Sequence, residues 1–377
     1  MIQRTALMTA LMAALVAPPV VAQPAKARAT ANVDLDARFK EAQTSPQLAD
    51  DLYKVGRKVA AVCANCHGEG GTSTKPSIPN LAGQNPAYLL EQMRQFADAY
   101  GLTQADYATR TPHAWQAGPQ TSLLASQLAT MQNGIFVMTI PKAPYRCPPG
   151  PYERACLVAN YFKKAKPKSK VLVLDANEEI TSKKALFTKA FEKYAGILEY
   201  RPNSELREVD AAGRTAILEF DKVKADVLNV VPPQRAGDIA AKSGLKLINN
   251  RWVDIDWLTY ESVNTPGVHV LGDAIFPAPT MPKSGHMANQ HAKVAAAAIL
   301  RLLAGEAPNP TPVVMNTCYS FVDSKNVIHV TSVHQYDAEK KTVLPVPGSG
   351  GVSAAANEIE GKAAMAWARN IWADMLV

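Results

Sequence analysis

The run Cys63-Ala64-Asn65-Cys66-His67 limits what this chain can fold into more than any other stretch of it. Two cysteines at that spacing present both sulfurs on one side of a turn, and the histidine after them offers an imidazole nitrogen to a metal. Cys-x-x-Cys-His is the attachment sequence of a c-type haem, with Cys63 and Cys66 forming the thioether links and His67 ligating the iron. A redox dithiol needs no histidine after it, and a zinc cage needs a second Cys-x-x-Cys pair, which the sequence lacks. Gly68, Gly70 and Gly71 then allow a tight turn beside a bulky macrocycle, because glycine reaches positive φ without a Cβ clash.

The chain continues through Ile78-Pro79-Asn80-Leu81-Ala82-Gly83-Gln84, a loop with an apolar face, into a helix opening at Asn85-Pro86 with proline in its first turn. On these residues the stretch from Asp51 to Asp98 resembles class I c-type cytochromes of the small periplasmic kind. In that family a later methionine supplies the sixth iron ligand, and here the resemblance ends before one appears. Met131 and Met138 lie downstream, in sequence of a different character.

The 377 residues suffice for two or three domains, each with its own core. The net charge of +7 is spread over the whole chain with no dense arginine run, so nucleic-acid binding is not suggested. Lys163, Lys164, Lys166, Lys168 and Lys170 form one cluster, read as a solvated helix end or as a docking surface for an acidic redox partner. Residues Met1 to Ala22 have the order of a secretory signal: Arg4, an apolar core from Ala6 to Ala17, then small residues at Val20 and Ala22. That apolar run is shorter than the roughly 20 residues needed to span a bilayer. Export to the periplasm, with no membrane span in the mature chain, is the expectation.

Past Asp98 the pattern changes. Gly118-Pro119 breaks the chain, and Leu123, Leu124, Leu128 and Met131 then fall on one side of a helix. Ile135–Ile140 and Val171–Leu174 are short apolar runs fit for buried strands, separated by a proline-rich loop (Pro144 to Pro151) and a helix. Strand, helix, strand in that order predicts a parallel α/β unit.

Several runs in this part resemble the flavoprotein subunit of flavocytochrome c sulfide dehydrogenase. They are the loop from Arg146 to Glu153, Val231-Pro232-Pro233-Gln234-Arg235-Ala236-Gly237, Gly267-Val268-His269-Val270-Leu271-Gly272-Asp273-Ala274, Met281-Pro282-Lys283-Ser284, and Asn316-Thr317-Cys318-Tyr319-Ser320. The resemblance covers about Tyr100 to Val377. It implies a redox-active disulfide between Cys147 and Cys318, beside the flavin, that receives sulfide sulfur before electrons pass on. Attack of a soft nucleophile on a disulfide sulfur is ordinary thiol exchange, and a purely structural staple is the alternative. Cys156 is left over as a small buried hydrophobe.

The flavin residues can also be argued from local chemistry. Thr265 to Asp273 reads as an apolar strand ending in Gly272-Asp273, where glycine permits close backbone approach and aspartate accepts from cofactor hydroxyls. Pro282-Lys283-Ser284 leads into a helix through about Leu303, whose N-terminal amides suit the anionic end of a reduced flavin. FAD is therefore expected at Gly272, Asp273, Pro282 and Lys283. His113, His269, His286, His291, His329 and His334 read as structural or surface groups, with His286 nearest the flavin end. In the tail, Val327–Val333 and Thr342–Val346 read as strands, and Ala364, Trp367, Ile371 and Met375 form a helical stripe. The resemblance makes this a separate domain that contacts a haem subunit.

Two expected features are missing. No Gly-x-Gly-x-x-Gly turn occurs in the sequence to hold the FAD pyrophosphate, and no cysteine corresponds to the family's covalent flavin attachment. The expected fold class is thus multidomain: a truncated all-α class I cytochrome c module, an incomplete α/β fold of two dinucleotide-binding domains, and an α+β C-terminal domain. Its parts are a signal peptide (1–22), a flexible leader (23–48), partial cytochrome c (49–98), a flavoprotein segment (99–134), a second Rossmann-like unit (135–230), a returning FAD segment (231–310) and the C-terminal domain (311–377). The expected function is sulfide to cytochrome c electron transfer with covalent haem c and FAD, served by a cytochrome or a complementary flavocytochrome subunit as partner. A haem-only electron carrier and a non-catalytic fusion are the alternatives, and a quinone reductase is disfavoured because the tail's apolar stripe is too modest for a membrane.

Overall fold

The computed structural model describes residues 99–115 and 118–375, together with residues 41, 42, 44–51 and 54. The expected signal segment (1–22) and the haem motif Cys63–His67 lie outside the described residues. The chain forms two compact units, with the boundary between Arg94 and Gln95. In the first unit the described residues are largely helical, as in the Ala49 N–H bond to the Ser45 carbonyl (3.0 Å).

The second unit opens with α1 (Gln104–Thr109), started by a capping box in which Thr103 and Asp106 satisfy each other's backbone amides. Next comes α2 (Pro119–Thr130), with proline in its first turn, as the Gly118-Pro119 break predicts. Then come β1 (Ile135–Ile140), α3 (Gly150–Ala165), β2 (Lys170–Asp175), α4 (Lys184–Glu192) and β3 (Leu198–Arg201). A small antiparallel sheet of β4 (Leu206–Asp210), β5 (Thr215–Leu218) and β6 (Lys222–Lys224) is inserted before β7 (Val227–Val230). The main sheet has the order β3-β2-β1-β7 and every pairing in it is parallel, with Ile135 opposite Lys170 and Phe136 opposite Val227.

The central strands of that sheet are buried on both faces, which is why they read as continuous apolar runs rather than alternating ones. Phe136, Met138, Val171 and Val173 face a core with Tyr152, Ala155, Ala159 and Phe162 of α3. Val137, Leu172, Leu174 and Leu228 face another core with Leu102, Tyr107 and the β4–β6 insertion. Residues 99–109 thus pack onto the flavoprotein-like sheet. Met131 and Met138 are both buried in the α3-side core.

The lysine cluster is mostly spent on the fold rather than left as a free patch. The Lys166 ammonium donates to the carbonyls of Leu128 (2.8 Å) and Ala129 (2.5 Å) and to that of Met131, closing the exposed C-terminal carbonyls of α2. Lys163 donates to the Lys193 carbonyl, Lys164 to the Ser324 hydroxyl and Lys170 to the Gly196 carbonyl.

A shorter region comes after the sheet: α5 (Asp238–Lys242), the hairpin β8 (Leu247–Ile248) and β9 (Trp252–Val253), and then α6 (Gly285–Leu303). Here one expectation fails. Thr265 to Asp273 forms no strand, and its contacts to a sheet reduce to one bridge between Glu261 and His269. Gly272–Ala274 is a short 3-10 turn. A strand persists only where a neighbour supplies a continuous ladder, and here pairing stops at that bridge and its flanking bonds, Val270 amide to Tyr260 carbonyl (2.8 Å) and Ser262 amide to Val268 carbonyl (2.7 Å). Val268 and Leu271 are accordingly 38% and 37% exposed.

The C-terminal domain has β10 (Val313–Phe321) paired antiparallel to β11 (Val327–Asp337), flanked by β12 (Thr342–Pro345) and β13 (Gly351–Val352), with α7 (Glu358–Met375) across it. Ala364 of the predicted stripe is buried, and the Trp367 ring lies 5.4 Å from His286 and 5.8 Å from Tyr319. No described helix is long and apolar enough to cross a membrane.

Candidate functional site

The turn after β1 is where a dinucleotide-binding unit normally grips phosphate, and here it is built for something else. Prolines at 141, 144, 148, 149 and 151 stiffen it and remove amide donors at the start of α3. The acidic residue at the end of β2, Asp175, is fully buried. It accepts hydrogen bonds from the Tyr152 hydroxyl (2.8 Å), the Tyr200 hydroxyl (2.9 Å) and the Asn177 side chain (2.7 Å). Those donors occupy the carboxylate that would otherwise take a ribose, and the turn carries a cysteine in place of a phosphate loop.

That cysteine is Cys147, held at φ 55. A side-chain-bearing residue in the left-handed region persists only where its surroundings over-determine it. The Cys147 amide donates to the Lys283 carbonyl (2.7 Å), and the Gly150 amide closes back on the Cys147 carbonyl (2.8 Å). A Cβ at Gly150 would come within 2.9 Å of the Cys147 sulfur, so glycine is required there. The preceding Arg146 accepts at its carbonyl from the Trp115 indole (3.1 Å), and its guanidinium stands 3.9 Å from Asp273.

Cys318 approaches from β10. Asn316, two residues earlier and so on the same strand face, donates to the Cys318 sulfur (3.4 Å) and accepts from the Ser284 hydroxyl (2.6 Å). The Lys183 ammonium donates to the Cys318 carbonyl (3.0 Å) and the Ser320 hydroxyl (2.8 Å). Glu153 of α3 accepts from the Phe321 amide (2.8 Å). The two cysteines, 171 residues apart in sequence, therefore converge on one cluster containing Lys183, Glu153, Lys283 and Ser284. Both are free cysteines in this structure.

Burial dominates the electrostatics. Together with the Cys318 and Glu153 charges it pushes the Cys147 thiol up to about 12, and Arg146 and Lys183 oppose the rise. Burial also raises Cys318, against the lowering effects of the Asn316 bond, the Lys183 charge and the Ser284 bond. The Glu153 carboxyl is raised by burial, although the Phe321 amide and Lys183 resist. A carboxyl raised in this way is a better proton acceptor than an ordinary one.

A cavity of about 690 Å³ ends on this cluster, with Trp115, Arg146, Cys147, Glu153 and Arg154 at its floor. Its walls are apolar, from α2 (Ala125, Leu128, Ala129) and α3 (Leu157, Val158, Tyr161). On the other side of Lys283 lies a narrow cleft that brings together all four residues expected to hold flavin: Gly272, Asp273, Pro282 and Lys283. Ser284 caps α6 by accepting from the Met287 amide (3.0 Å). The Lys283 ammonium donates to the Asp273 (2.9 Å) and Ile275 (2.6 Å) carbonyls, and burial lowers it to about 7.

These residues fit the C-terminal side of a flavin site. One carboxylate oxygen of Asp273 is buried without a partner, and so is Nε2 of His291, whose Nδ1 accepts from the Gly272 amide (3.2 Å). Gly272 has φ 68, and a Cβ there would meet Ala288 at 3.0 Å. Asp273, Lys283 and the amides opening α6 would hold the cofactor.

Sequence reasoning missed Lys183, Glu153, Asn316 and Ser284 as members of this site. Asn316 carried a signal, its even spacing from Cys318 on a strand, and Ser284 carried another as an N-cap. Lys183 had none. The remaining histidines are structural: His113 lies 2.9 Å from the Gln120 amide, His269 bonds the Thr259 carbonyl (2.8 Å), His329 pairs with Glu360 (2.8 Å) and His334 with Ser332 (3.1 Å). His286 accepts from the Thr317 amide (3.0 Å), next to Cys318.

Three family models match the chain. Residues 53–132 match "Cytochrome c", residues 121–232 match "Sulfide dehydrogenase (flavocytochrome c) flavoprotein chain, central", and residues 310–376 match "Flavocytochrome c sulphide dehydrogenase, flavin-binding". Cytochrome c4 of Pseudomonas aeruginosa is 51% identical over 43 residues, 11% of this chain and 21% of its own length. Cytochrome c4 of Azotobacter vinelandii is 54% identical over 39 residues, 10% of this chain and 19% of its own. The chain thus spans about a fifth of the length of these curated relatives. Among solved structures, a chain of the Tetrahymena thermophila mitochondrial ATP synthase aligns over 63% of this chain and 60% of itself, at 20% identity and a TM-score of 0.48. An FAD-dependent pyridine nucleotide-disulphide oxidoreductase from Desulfovibrio vulgaris aligns over 69% of this chain and 66% of itself, at 14% identity and a TM-score of 0.40.

Proposed function

From a chain that joins a cytochrome c segment to the central and flavin-binding segments of a flavocytochrome c sulfide dehydrogenase flavoprotein, we infer an exported redox protein that oxidises sulfide. Those segments imply haem c and FAD as its cofactors and electron transfer as its work. When bound, FAD supplies a two-electron acceptor and haem c a one-electron carrier. Sulfide as the donor, Cys147 and Cys318 as its point of entry, the periplasm as the location and a cytochrome or complementary subunit as partner are our reading.

The observation that carries it is that Cys147, which lines the cavity and bonds the Lys283 carbonyl, stands near enough to Cys318 for their charges to interact, while Lys283 lines the cleft of Gly272 and Asp273. Hydrosulfide entering by the cavity attacks one sulfur of the oxidised pair. A new S–S bond forms to the incoming sulfur, the Cys147–Cys318 bond breaks, and the second cysteine leaves as thiolate. The proton of the resulting persulfide passes to Glu153, which shares the cavity floor with Cys147. Arg146 and Lys183 offset the anionic charge.

Anaerobic addition of sulfide to the FAD-supplemented chain, followed at the haem band, tests this. Cys147→Ser should abolish sulfide-dependent haem reduction and leave haem content unchanged, and retained turnover would remove the pair from the mechanism. A haem-only carrier is the second reading, favoured by the missing Gly-x-Gly-x-x-Gly turn and by the exposure of Val268 and Leu271. A haem spectrum with no flavin absorbance after incubation with FAD would select it.

A further inference from the structure

Lys183 belongs to no motif yet stands inside the site. It precedes α4 at φ 53 and ψ 39, a second left-handed residue in the same cluster as Cys147. Its side chain crosses to β10 and is fixed by two acceptors, the Cys318 carbonyl (3.0 Å) and the Ser320 hydroxyl (2.8 Å), with 8% of the residue exposed. Both acceptors are neutral, and a neutral donor would satisfy them. A buried ammonium is retained at a cost unless a negative charge forms nearby. Burial lowers Lys183 to about 8, and the charge that most opposes this is Cys318, ahead of Glu153 and Cys147.

We propose that Lys183 is a positioning residue that pins the Cys318 backbone and keeps the sulfur of Cys318 anionic when the cysteine pair is reduced. This rests on the reading of Cys147 and Cys318 as one redox pair. Two-electron reduction by a dithiol, whose own two sulfurs become a cyclic disulfide, breaks the S–S bond, and retention of one of the two protons it gives up leaves one thiolate and one thiol. The Asn316 amide donates to the Cys318 sulfur, and Lys183, fixed on the carbonyl of the same residue, bears on that sulfur by its charge. Cys147, whose thiol is pushed up by burial and by the Cys318 charge, takes the proton.

The test uses the full chain reduced with dithiothreitol, then pulse-alkylated with iodoacetamide between about pH 6 and about pH 10, with labelling of each cysteine read by peptide mass spectrometry. Cys318 should label ahead of Cys147. In Lys183→Met the Cys318 midpoint should rise by about one pH unit, so that its labelling near neutrality falls about tenfold while Cys147 changes less than about twofold. Lys183→Arg should restore the wild-type profile. Lys183→Gln, which keeps a donor but not the charge, carries the same expectation as Lys183→Met should the latter not fold. An unchanged Cys318 midpoint in the uncharged variants, or a rise that Lys183→Arg shares, overturns the proposal. Sulfide plays no part in this readout, so it stands or falls separately from the substrate reading.

Discussion

His113 and His291 are each 2% exposed, and burial holds both imidazoles down to about 3, with nearby cations (Arg154 for the first, Lys283 for the second) adding to the effect. An unfolded chain binds a proton at each near the ordinary value of 6.5, while the folded chain does not until about 3. Between these limits the unfolded state holds more protons, so stability rises with pH. The two contributions are complete above pH 6.5 and are lost as pH falls, at about 1.4 kcal/mol per pH unit for each histidine. Denaturant unfolding followed by tryptophan fluorescence reports on the second unit, because all five tryptophans lie in it. We expect stability to fall steadily from about pH 6.5 to about pH 5 and His291→Gln to flatten the slope; a flat profile over that range would contradict the burial argument. That these histidines are structural could be read from the sequence, since none is spaced as a ligand partner. That Lys183 shares a site with Cys318 could not, because the 135 positions between them are bridged only by tertiary packing.

The elements around the site were legible where local pattern and tertiary setting agree. Ile135–Ile140 and Lys170–Asp175 are strands because apolar runs of that length, split by a helix, have a parallel sheet as their natural home. The Thr265–Asp273 run has the same local pattern and fails, because a ladder is a property of two strands and its partner, residues 260–262, supplies only an isolated bridge. The docking of α7 is equally non-local. A Cβ at Gly361 would land on the Lys325 carbonyl at the β10–β11 turn, and backbone cannot yield as a side chain can. Gly361→Ala should destabilise the C-terminal domain by about 1–3 kcal/mol. Limited proteolysis should then cut sooner within residues 355–375 while haem content stays constant, and unchanged protection would show that α7 tolerates the displacement.

For the whole molecule, the sequence already marks two chemistries in one polypeptide: a five-residue haem motif in the first unit and a dispersed set of flavoprotein residues in the second. The family matches agree on both, although the cytochrome match extends to residue 132 and overlaps the flavoprotein match from 121. Residues 99–132 pack with the second unit, since Leu102 and Tyr107 share a core with Val137 and Leu228. What sequence alone could not settle was whether cysteines 171 positions apart meet, because that depends on the sheet, α3 and β10 all forming together. The most direct check is a peptide map of the unreduced chain, alkylated under denaturing conditions without prior reductant. The account predicts a single linked peptide pair containing Cys147 and Cys318, opened by sulfide, with Cys156 alkylated throughout; Cys147 and Cys318 both freely alkylated before any reductant or sulfide is added would contradict it.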